Sequence, residues 1–253
     1  MNVVRTRSNA SGNPQTEAAG RAAPKRWRIR VAAAFGIIVL AGAYALLRTP
    51  NWYTLPAIAP QERQAVRDNL IAAEAAFTEA LRTSTGAFVY HVFQDDVNRW
   101  VAMRREIYPL IDELAPPELI DPIVLFEPGE ITIAGRYRKL GTDLLVSVDI
   151  AVSSADDGIL LRVTRMRCGS IGVPVGFASL GLKRSIDRPA GSVWPGSPHM
   201  WGSFADGFHV DAKGWWKNGG VDYRVRDVTL EAGVLHLNVE PLGHSSRREK
   251  RQG

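Results

Sequence analysis

Four residues within thirteen positions, His199, Asp206, His209 and Asp211, invite a metal reading, because two imidazoles and two carboxylates are donors that a zinc site uses. Their intervals match no tight pattern such as His-Glu-x-x-His, whose two histidines share one helix face, so no metal is expected. The paired acids have structural uses instead. Asp95-Asp96 stand where a helix should begin and suit a cap, Asp156-Asp157 precede Gly158 as a turn, and Asp112-Glu113 fit a solvated helix end. A glycosidase pair of carboxylates finds no support in the spacing. No Gly-x-Ser-x-Gly occurs, and no glycine-rich phosphate loop follows a strand. No catalytic residue and no cofactor is assigned. A hydrolase with an unrecognised site stays open as the minority reading.

The densest set of recognition-type residues lies in 189–220, where Pro189, Pro195, Pro198 and seven glycines are mixed with aromatics. Trp194, Trp201, Trp215 and Trp216 are the candidate interface residues of this stretch. They fit a satellite core under a long connection, a contact loop for a partner, a loop dipping toward a membrane interface, or a surface on which sugars stack. Cys168 is the only cysteine, which excludes an intrachain disulfide. Next to Met166 at a strand end, it reads as a small buried hydrophobe.

Residues 1–28 form a polar, basic tail with no apolar periodicity, expected to be disordered and cytoplasmic. Val31 to Leu47 is an uncharged run between Arg30 and Arg48, and 29–48 reads as a single transmembrane anchor. Arg5, Arg7, Arg21, Lys25, Arg26, Arg28 and Arg30 against one acid, Glu17, would keep the N-terminus in the cytoplasm of an inner or plasma membrane. A cleaved signal peptide competes, through the small-x-small pattern Ala43-Tyr44-Ala45, but the leading region is long for one. Either reading puts the remainder in the periplasm or outside the cell. Pro50, Pro56 and Pro60 make 49–60 a stiff spacer.

Residues 61–243 then form one domain. Val66, Leu70, Ala73, Phe77 and Leu81 recur at helical spacing between Gln61 and Arg82, and a second helix after Asp95-Asp96 carries Val97, Trp100, Val101 and Ile107. From Ile123 the period falls to two. Ile131, Ile133 and Tyr137 alternate with Thr132, Ala134 and Arg136, and Leu144, Val146, Val148, Ile150 and Val152 mark the apolar side of the next strand. Turns at Pro128-Gly129, Lys139 to Gly141, Asp156 to Gly158 and Glu231 to Gly233 separate the strands. The expected class is α+β: an antiparallel curved sheet of about six strands packed on one or two amphipathic helices, preceded by the transmembrane helix. The basic segment 244–253 reads as a solvated tail.

The formal charge of +5 misleads, because the basic residues concentrate at the two ends. Residues 49–243 carry 19 basic and 24 acidic side chains, and that balance excludes a basic nucleic-acid face.

The helix opening Asp95 to Asn98 before Trp100, the strands through Ile131 and Val146, the Asp157 to Val163 hairpin, the Gly169 to Pro174 segment and the closing hairpin through Gly233 resemble the YpmS-like bacterial envelope proteins. More distantly they resemble extracytoplasmic domains of the tubular lipid-binding type. The resemblance covers 60 to 243 and implies a curved sheet wrapped on a helix, with an apolar groove and no catalytic residues. Lipid or another apolar ligand would then sit between the first helix and the sheet, against Phe77, Leu81, Trp100 and Ile107. The alternative is a scaffold of an envelope assembly that uses the tryptophan stretch to hold a protein partner.

Overall fold

The computed structural model of the protein describes residues 25–107, 118–139, 142–176, 186–188, 198–203 and 206–244. The chain divides into two compact units, Met1–Ala41 and Gly42–Gly253.

The first helix, α1 (Lys25–Leu47), runs across that division. Among the described residues no helix is long and apolar enough to cross a membrane. This corrects the transmembrane anchor expected at 29–48, and with it the single-pass, signal-anchor description. The uncharged run is short: Val31 to Leu47 at 1.5 Å per residue reaches about 25 Å, below the roughly 30 Å of a hydrocarbon core. The first two turns of the helix carry Lys25, Arg26, Arg28 and Arg30. Phe35, Ile37, Ile38 and Leu40 are exposed along it.

In the larger unit a 3₁₀ turn (Pro60–Glu62) leads into α2 (Arg63–Thr83). Val66, Leu70, Phe77 and Leu81 are its buried residues, as their spacing predicts. Strand β1 (Phe88–Phe93) runs directly into α3 (Gln94–Ala102) and the short α4 (Arg104–Ile107). The cap of α3 is Phe93, which offers no side-chain bond; Asp95 and Asp96 lie inside the first turn, where they favour the positive end of the helix dipole.

Strands β2 (Leu119–Glu127), β3 (Glu130–Lys139), β4 (Thr142–Ala155) and β5 (Gly158–Cys168) form the expected antiparallel meander. It is extended by β6 (Ile171–Val173), β7 (Ile186–Arg188), β8 (Met200–Ser203) and β9 (Gly207–Asp211) into an eight-stranded sheet, in which β9 and β6 both pair with β5. A separate four-stranded sheet has the order β1-β12-β11-β10, with β10 (Lys213–Trp216), β11 (Val221–Glu231) and β12 (Val234–His244).

The expected single curved sheet of about six strands on helices is therefore corrected to a mostly antiparallel β architecture of two sheets. The closing hairpin β11–β12 pairs with β1 apart from the meander, and the rest of the difference arises in 189–220. Its described parts are strands that join both sheets, and local composition there, rich in Gly and Pro, hid the pairing. Gly202 adopts a left-handed φ of 139° and lies against the backbone of Gly207, a close approach of β8 to β9 that a side chain would block.

Helix α2 also covers a different sheet from the one expected, while α3 lies at the β2 edge of the larger sheet. Helix α2 packs on β11 and β12, while α3 contacts β1 and β2. On β4 the positions that are buried are Leu145, Ser147 and Asp149, at 6, 3 and 1% exposure, whereas the alternating Leu144, Val146, Val148, Ile150 and Val152 are half-buried. Tyr53 fills one side of that buried face with Ile123, Ala134 and Leu145. Its hydroxyl donates to the Asp121 carbonyl at 2.6 Å, where a bulge of β2 puts Asp121 at a φ of 50°.

Candidate functional site

Helix α2 does not seal the four-stranded sheet. Between α2, α3 and the inner faces of β1 and β10 to β12 lies a groove of about 610 Å³. Much of its wall is aromatic. Phe77 is 8% exposed and meets Tyr90 and Trp216 edge-on at centroid distances of 4.9 Å, with Tyr223 at 6.0 Å. Edge-to-face contacts set the positive rim of one ring on the negative face of the next, which fixes these walls beyond simple burial. Val92, Leu237 and Val239 complete the apolar surface on the strand side.

Polar tips hold the aromatic walls in place. Trp216 Nε1 donates to Thr78 Oγ1 at 2.8 Å, Trp100 Nε1 to Asn69 Oδ1 at 3.1 Å, and Tyr90 Oη to the Ala73 carbonyl at 2.8 Å. Each bond ties a ring to α2, so the helix carries the positioning of the site. Gly214 stands opposite Tyr223 in the β10–β11 register, and a Cβ there would strike the Tyr223 ring. Burial raises the Tyr223 phenol above its ordinary value. The Tyr90 phenol is raised too, first by burial and then by the negative charges of Asp96 and Glu74.

Of the four residues expected to line an apolar site, Phe77 and Trp100 do so. Leu81 is 2% exposed inside the cluster of Phe77, Val221 and Val239, and Ile107, at the end of α4, is not part of the groove wall. The three described tryptophans of 189–220 do not form one surface. Trp216 is a groove wall, Trp215 is its half-buried neighbour on β10, Trp201 lies on β8 in the other sheet, and Trp194 lies outside the described residues. Trp216 was legible as an aromatic, but its place beside Phe77 depends on β10 pairing with β11.

The residues weighed for metal binding are held otherwise. Trp201 stacks on His209 at 5.5 Å and meets His199 at a tilt of 31° and 4.8 Å, and Asp206 accepts from Ser203 Oγ at 2.8 Å. Among the described residues no group of three or more His, Cys, Asp or Glu could hold a metal ion. Cys168 is half-buried at the end of β5, and burial raises its thiol, which lowers its reactivity.

A second polar cluster lies at the centre of the larger sheet. Asp149 is 1% exposed and accepts from Thr132 Oγ1 at 2.9 Å and from the Arg167 guanidinium, with Arg165 at 3.6 Å. Both carboxylate oxygens are thus engaged, so the cluster reads as a buried structural ion pair.

Fold and site together define a two-sheet antiparallel β protein with a helix-flanked aromatic groove. Neither a protein-family model, nor a curated protein, nor a solved structure matches the chain.

Proposed function

We propose that the protein binds an apolar or amphipathic small molecule in the groove between α2, α3 and the four-stranded sheet. The observation that carries this reading is the groove's volume of about 610 Å³ against walls of Phe77, Tyr90, Trp100, Trp216 and Leu237. Ligand sites are typically clefts of roughly 300–1,000 Å³ with mostly apolar and aromatic walls and a few fixed polar groups. A dry core would close on itself at the packing density of protein interiors.

Native mass spectrometry of the full chain, before and after extraction with organic solvent, tests the proposal. Extra mass that extraction removes, together with uptake of a fluorescent fatty alcohol, is the expected outcome. A clean apo mass with no uptake would overturn it.

A second reading is a protein-contact role for Trp201 and Trp215, both of which keep part of their surface in solvent. Substituting both with Ser separates the two readings. A contact surface loses its partner in a pull-down, while the groove keeps its ligand.

A further inference from the structure

Building on the groove reading, we infer that the ligand carries an ammonium head on an apolar body. Among the described residues, the acids Asp96 and Glu74 line the groove beside His91, and no lysine or arginine does. Asp96 and Trp100 stand four residues apart on α3, one turn above the other, so carboxylate and indole share a face of that helix. Tyr90 lines the same groove, close enough for both carboxylates to raise its phenol.

An ammonium group is attracted to the face of Trp or Tyr within about 6 Å and more strongly so where water is displaced. A carboxylate beside those rings adds direct charge attraction. A fatty acid or a phosphate monoester would instead bring a second negative charge to Asp96 and Glu74, at a cost that grows as the groove excludes solvent. Trp100 is held for this role by its bond to Asn69, and Glu74 is oriented by Asn218 Nδ2 at 3.1 Å. The apolar body would lie along Phe77, Val92 and Leu237.

Three probes with one tail length, decyltrimethylammonium, decanol and decanoate, test this on the full-length protein by titration calorimetry below micelle-forming concentrations. The ammonium probe is expected to bind about tenfold tighter than the alcohol, and decanoate weakest, an order set by attraction and repulsion at the rim. Asp96→Asn, at a half-buried position, should remove most of that preference. Equal affinity for ammonium and alcohol, or a preference untouched by Asp96→Asn, would overturn the head-group assignment while the groove stands. Failure of all three probes to bind would overturn the groove reading itself, and this inference with it.

Discussion

The side-chain amide of Asn98 bonds both backbone groups of Val124, donating to its carbonyl at 2.8 Å and accepting from its N–H at 2.7 Å. A helix side chain thereby takes the place of a neighbouring strand at the edge of the eight-stranded sheet, whose outer strand is β2. One turn earlier, Gln94 Oε1 accepts the Phe126 N–H at 2.7 Å in the same manner. Exposed strand edges template pairing with other chains, and α3 blocks this one.

Asn98→Ala should therefore do two things. It leaves a donor and an acceptor of Val124 without partners at a position where Asn98 is 8% exposed, which costs about 2 kcal/mol or more. It also uncovers the edge. Chemical denaturation should read the first effect, and light scattering at rising protein concentration the second. Stability equal to the wild type would rule out the edge-sealing role.

The buried carboxylate of Asp149 predicts an asymmetry between its two arginines. Arg167 is largely covered and bonds Asp149 directly, whereas Arg165 is 62% exposed and stands at 3.6 Å. Arg167→Met strands a buried charge and should cost about 3 kcal/mol. Arg165→Met should cost under about 1 kcal/mol, as exposed pairs do. Denaturant midpoints of the two variants decide the point, and equal losses would count against it.

Tyr53 makes stability fall at alkaline pH. Burial, then the charge of Asp121, raise its phenol from 10.0 to about 12, with Arg136 opposing. Between those values the unfolded chain releases the proton while the folded state retains it. The contribution is fully present below pH 10 and is lost as pH rises toward 12. Tyr53→Phe should lose about 1 kcal/mol at pH 8 through the missing bond to Asp121. Its stability should then decline less between pH 10 and 12 than that of the wild type. An unchanged slope in urea titrations across that range would refute the assignment.

The groove walls divide into residues that hold the fold and residues that face the ligand. Phe77 touches four rings and is 8% exposed, so Phe77→Ala should cost about 3–5 kcal/mol. Trp100 is half-buried with one side-chain bond, and Trp100→Ala should cost about 1 kcal/mol while weakening ligand binding far more. Thermal melts beside the binding titrations separate the two effects. A large melting shift in Trp100→Ala would make that residue core.

Gly214→Ala supplies a test of groove shape. The added methyl would displace the Tyr223 ring, which forms part of the wall. Ligand affinity should fall with modest loss of stability, read in the same titrations. Unaltered affinity would show that Tyr223 can move aside freely.

Much of the local structure was legible because it rests on short-range chemistry. The spacing of Val66, Leu70, Phe77 and Leu81 defines the buried stripe of α2, and all four are buried. Pro128-Gly129, Asp156-Asp157 and Ala232-Gly233 occupy turns between paired strands, with Gly129 and Gly233 at φ of 75° and 80°. The aromatic groove wall was partly legible as well, since Phe77 and Trp100 recur at helical spacing on sequences that must bury one side.

The rest depends on contacts between segments distant in the chain. Hydrophobic periodicity states that α2 has an apolar stripe and that β4 has two unlike faces; it does not say which surface meets which. Only the tertiary structure places α2 on the four-stranded sheet, buries Asp149 against Arg167, and pairs β5 with β9 and β10 with β11. The uncharged run after Arg30 likewise specifies a helix in α1, yet its short apolar length and basic first turns leave no membrane-crossing helix among the described residues. Turns and periods are written in neighbouring residues, whereas strand partners and the groove they enclose follow from how whole faces bury one another.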